Sequence, residues 1–115
     1  MGRTFTQVLQ APPPLKHKAI EIPEFGGEFY LNELTGLEQQ QLLQENQARF
    51  KGDESPGETA MYASLLSKCL RDGEGGTLSY EQWLSLGNVL VRRLGLEAAK
   101  LNVVTPAERE TLEKN

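Results

Sequence analysis

Between Ala19 and Pro23 the side chains alternate, with Ile20 and Ile22 on one face and Glu21 on the other, as a half-buried strand requires. Phe25-Gly26-Gly27 ends that run, and Glu28-Phe29-Tyr30-Leu31 follows as a second short strand. A Gly pair between two such runs predicts a hairpin turn, because glycine reaches positive φ without a Cβ penalty. Just beyond the second strand, Thr35 and Glu38 have the T-x-x-E spacing of a capping box. The threonine hydroxyl can accept from one orphan helix N–H while the glutamate carboxylate accepts from another. A helix starts there.

The rest of the chain reads as helical. A first helix runs from Gly36 to Arg49, with Leu37, Leu42, Leu43 and Phe50 as a narrow apolar stripe. Lys51 to Gly57 is a loop by its Gly, Asp, Ser and Pro content. A second helix from about Glu58 to Arg71 places Tyr62, Leu66, Cys69 and Leu70 on one face, widened by Met61 and Leu65. Asp72-Gly73-Glu74-Gly75-Gly76 breaks the chain, and Ser79 with Gln82 forms a second capping box. The helix it opens carries Trp83, Leu86, Leu90 and Leu94 along one face and Leu84 with Val91 beside them. Gly95 stands where a left-handed C-cap would end it, and residues 96–101 add one or two turns. The expected class is mainly α: a small helical domain over residues 17–101 with an N-terminal β-hairpin. Residues 1–16, with Ala11-Pro12-Pro13-Pro14, read as a flexible arm with a stiff elbow. Residues 102–115 read as a polar C-terminal tail or short helix, begun by Thr105-Pro106.

Chemistry is sparse. With 115 residues, a net charge of -4 and mean hydropathy of -0.46, the chain suits a single polar-surfaced domain. An acidic balance disfavours nucleic acid, which needs cations to neutralise phosphates, and Arg92-Arg93 reads as a helix-terminal pair facing the dipole. No run is long and apolar enough to cross a bilayer, and the first residues lack a signal peptide's apolar core, so no membrane role is expected. The single cysteine, Cys69, fits a small core residue in a reducing compartment. Residues 71–82 mimic the second half of a calcium loop around Gly76. In that register the ligand positions fall on Arg71, Gly73, Gly75 and Gln82, none of them a carboxylate. A histidine-based triad would have to use His17, which stands beside the arm. The Gly73 to Gly76 loop lacks the Lys-Ser/Thr that holds nucleotide phosphates. No enzyme activity, cofactor or metal is expected.

The order of strand, acidic Pro-Glu-Phe-Gly-Gly turn, short strand and Leu34-Thr35-Gly36-Leu37-Glu38 helix opening resembles the tail assembly chaperones of long-tailed bacteriophages. The likeness extends through Cys69-Leu70-Arg71-Asp72 and the glycine-rich loop, over about residues 18 to 101. It implies a non-catalytic protein of the host cell cytoplasm that binds the tape measure protein and the major tail protein during assembly and is absent from the finished particle. Self-association into a homo-oligomer is also expected. The alternatives are a structural virion or head-tail connector protein and a metal-free EF-hand-like interaction module. Expected partner-binding residues are Phe25 and Phe29 at the hairpin, together with Leu84, Val91, Leu96 and Leu101 as an uncovered apolar strip on the last helices.

Overall fold

The computed structural model describes residues 2–51 and 56–102, and among these the chain is mainly helical with a small antiparallel sheet. After a first short helix α1 (Phe5–Gln10), strands β1 (His17–Ile22) and β2 (Gly27–Asn32) form the hairpin, followed by α2 (Gly36–Arg49), α3 (Glu58–Cys69), β3 (Leu70–Arg71), α4 (Tyr80–Leu84) and α5 (Asn88–Leu101). The expected helix over residues 105–113 lies outside the described residues.

The hairpin closes through one 3-10 turn, Pro23–Phe25, and Gly26 at φ 81° turns the chain back, a conformation that a Cβ would strain. Ile20 stands opposite Phe29, and Lys18 opposite Leu31, so one face of the sheet carries Ile20, Ile22, Phe29 and Leu31 toward the helices. Ile22 and Leu31 are fully buried there. Both hydrogen bonds of the expected capping box form at α2: Thr35 accepts from the Glu38 N–H at 3.1 Å, and the Glu38 carboxylate accepts from the Thr35 N–H at 2.9 Å. Ser79 and Gln82 do the same for α4.

Several features differ from the sequence expectation, each for a physical reason. The arm is not structureless throughout: Thr4 and Gln7 make a capping box of their own and start α1, although no residue of that helix is buried. The second helix ends at Cys69 rather than Arg71, because Leu70 and Arg71 extend and pair with Leu31 and Tyr30, giving the free edge of β2 a partner. The third helix is two. Its first segment stops at Leu84, and α5 begins only at Asn88, with Gly87 at its N-terminus. Gly95 is not a C-cap but lies inside α5, buried against α3. A Cβ built on it would collide with the Cβ and ring of Tyr62, so only glycine lets α5 approach α3 this closely.

The break at residues 85–87 resets the phase of the last helix. Val91, Leu94, Gly95 and Ala98 become its buried face, spaced i, i+3, i+4 and i+7. They pack with Ala63, Leu66 and Cys69 of α3, with Leu42 of α2, and with Trp83 of α4 in one core beneath the sheet. Polar side chains close the seams. Asn102 accepts from the Leu34 N–H at 2.9 Å and donates to the Ala98 carbonyl at 2.9 Å, tying the end of α5 to the start of α2. Buried Ser64 donates from its hydroxyl to the Asn46 side chain, joining α3 to α2. Two ion pairs, Lys18 with Glu97 at 3.1 Å and Arg93 with Glu24 at 2.9 Å, bridge the hairpin to α5. Their order shows that α5 runs antiparallel to β1. Arg93 is thus a mid-helix residue paired across elements, not a terminal cation.

Candidate functional site: an aromatic cleft beside the hairpin turn

The hairpin turn leans over α4, and the space between them is a cleft of about 280 Å³. Its floor and walls are Phe25, Phe29, Leu70, Leu78, Trp83 and Leu86, with Arg71, Asp72 and Thr77 at the rim. Three local choices build it. Gly26 aims the turn so that Phe25 meets Phe29 edge to face, with ring centroids 5.3 Å apart, and tilts over Trp83 at 6.1 Å. The two-residue strand β3 brings Leu70 and Arg71 alongside β2. The Ser79 cap then sets the direction of α4 and carries Trp83 under the turn.

Trp83 is almost wholly buried, and its indole N–H has no acceptor among the described residues. Phe25 and Phe29 are half-buried. The loop at the rim is held by its own aspartate: the Asp72 carboxylate accepts from the N–H groups of Gly76 at 2.8 Å and Glu74 at 2.9 Å. Those two amides keep the Asp72 carboxyl below the usual carboxylate range, the Gly76 bond being the stronger cause. Its oxygens are therefore engaged within the loop. Among the described residues no group of three or more His, Cys, Asp or Glu side chains stands close enough to hold a metal ion.

Each expected partner-binding residue has a definite place. Phe25 and Phe29 come together at the cleft. The remaining four do not form a strip. Val91 is fully buried in the core, so it offers nothing to a partner, because the reset phase of α5 turns it inward. Leu101 is half-buried and packed on the core, Leu96 is half-buried beside Tyr62 and Val89, and Leu84 is exposed at the end of α4. The cleft also uses residues that the periodicity assigns elsewhere. Helical spacing puts Leu70 on the second helix, and only the extended pairing of β3 brings it here. By the same spacing Trp83 reads either as a partner anchor or as core, and Leu86 as core.

Cys69 is buried, and burial pushes its thiol up to about 12, so it is chemically silent at neutral pH. The pairing with Arg93 holds the Glu24 carboxyl below its ordinary value. Tyr30 donates to Glu28 at 3.1 Å, which raises the phenol. No helix among the described residues is long and apolar enough to cross a membrane. No family model, curated protein or solved structure matches this chain.

Proposed function

We propose that this chain is a non-catalytic phage tail assembly chaperone, acting in the host cytoplasm, whose aromatic cleft grips a helical segment of the tape measure protein and whose exposed surface also engages the major tail protein. One observation carries the reading. Residues from two stretches that the resemblance covers, Phe25 and Phe29 of the hairpin and Leu70, Arg71, Asp72 and Gly76 at the later loop, lie far apart in sequence and line the same cleft, whereas the Leu34–Glu38 helix opening does not. At about 280 Å³ the cleft lies at the bottom of the ~300–1,000 Å³ range of small-molecule sites. It fits one or two apolar side chains of a partner helix, the way amphipathic helices anchor in grooves. Without a nucleophile–base pair at the cleft, its chemistry is that of burial, and the proposed role needs no more.

Co-expression with a phage tape measure protein, sought among the neighbouring reading frames, tests the reading. The chain should keep that long helical protein soluble and co-purify with it, whereas Phe25→Asp, folded by circular dichroism, should not. Detection of the chain at stoichiometric levels in purified particles would favour the structural virion alternative instead.

A further inference from the structure

β1 is an edge strand, and its free side is self-complementary. The Lys16 carbonyl accepts from the Glu33 N–H at 2.8 Å, and the register continues His17 to Asn32. In an antiparallel ladder the bonded residues alternate, so Lys16, Lys18, Ile20 and Ile22 bond inward to β2. His17, Ala19 and Glu21 therefore turn their N–H and C=O groups outward, and all three are exposed. Glu21 is also in an unfavourable place within one chain. It stands directly opposite Glu28 across the hairpin, and no cation or hydrogen-bond donor reaches it among the described residues.

We propose that two copies of this chain pair edge to edge through β1, antiparallel, about a twofold axis passing Ala19, so that His17 of each copy lies opposite Glu21 of the other. This register alone uses all three outward residues, and each opposed pair exchanges two main-chain bonds. It keeps the core faces of both sheets on one side, because directly opposed residues then have the same parity. At the axis the smallest side chain of the strand meets itself. On either side an imidazole N–H donates to the carboxylate that lacks a donor in the single chain. Centring the pair on Glu21 would instead set two carboxylates face to face. An edge guarded against self-pairing would carry like charges at these positions, and this one carries complementary groups. The inference stands on the strand alone and is independent of the tail assembly reading.

The interface is small beside the ~1,200 Å² of stable complexes, so the association is weak and is read at high concentration. Sedimentation equilibrium of the full chain at ~100 μM should show a monomer–dimer equilibrium, weakened at least about tenfold by Ala19→Asp, which sets two carboxylates at the axis in place of a residue exposed in the monomer. Ala19→Cys supplies a second readout. Paired Cα atoms in such a ladder lie ~5.5 Å apart, within disulfide reach, and the buried Cys69 does not compete. With oxidised glutathione as oxidant, the two introduced thiols should become one disulfide as one glutathione disulfide is reduced to two glutathione thiols. This should run faster than the crosslinking of Gln40→Cys on the exposed side of α2. Equal crosslinking of the two variants would overturn the proposal, as would a wild-type monomer at this concentration or a dimer that Ala19→Asp leaves intact.

Discussion

The crossing of α3 over α5 and the cleft beside the hairpin turn lie on the same core yet are built on opposite lines. At the crossing, Gly95, Ala63 and Ala98 are small and buried, and even a Cβ on Gly95 would collide with the Tyr62 side chain. At the cleft, Phe25, Phe29 and Trp83 are large and leave space open between them. Small residues in close contact give the fold its stability and fix its geometry. Large rings around an unfilled space leave apolar surface uncovered, at some cost to the isolated chain. Substitutions should therefore separate the two regions by what they damage.

The largest effects belong to the crossing. Val91→Asp puts an unpaired charge in the fully buried face of α5, a change that costs several kcal/mol against a total stability of ~5–15 kcal/mol, so the variant should show no cooperative thermal transition. Leu84→Asp, at an exposed site, should leave the transition in place. Gly95→Ala is the sharper probe. Alanine favours a helix by ~1 kcal/mol over glycine, yet the built Cβ collides with Tyr62, and overpacking of that kind costs ~1–3 kcal/mol or more. Net destabilisation in urea is the expected outcome. A stabilised Gly95→Ala would mean that the helices do not approach as described.

The cleft should behave differently. Phe25→Asp replaces a half-buried ring with a carboxylate that can reach water, so it should keep the cooperative thermal transition that Val91→Asp loses while abolishing partner binding. Trp83→Phe loses buried area but also removes an indole N–H that has no acceptor among the described residues, and an unmet buried donor costs ~1–3 kcal/mol. The two effects oppose one another, and the unfolding midpoint should shift less than for Gly95→Ala.

How far the sequence foretells this contrast can be seen residue by residue. The hairpin, the α2 boundaries and the Thr35–Glu38 and Ser79–Gln82 boxes are legible because each rests on local spacing. Gly95 is not, because a glycine that follows a helical stripe looks the same whether it ends the helix or lets another helix approach. Only the tertiary contact with Tyr62 decides between them. The place of Val91 is hidden by the break at residues 85–87, where Gly87 interrupts what reads as one continuous amphipathic run. Half of the cleft is visible in Phe25 and Phe29. The other half depends on Leu70 leaving its helix to pair with Leu31, a non-local choice that periodicity does not encode.

The smallest effects should come from the polar rim. Asp72→Ala removes the acceptor for two loop amides, and the Glu74 and Gly76 N–H groups should exchange with solvent faster, with global stability little changed. The sign with pH follows from the lowered carboxyl. Its contribution is fully present above the ordinary carboxylate range and is lost as the pH falls through the lowered value, so acid should loosen this loop in the wild type and not in Asp72→Ala. Breaking the exposed Arg93–Glu24 pair should barely move the unfolding midpoint.

Trp83 is the only tryptophan in the chain and lines the cleft, so its fluorescence reports directly on whether the space is filled. Titrating the full chain with overlapping helical fragments of the tape measure protein should give a saturable change in Trp83 emission for at least one fragment. The same fragment should leave the emission of folded Phe25→Asp unchanged. Binding of a fragment with equal affinity to both proteins, with Trp83 emission constant throughout, would contradict the assignment of the cleft as the partner site.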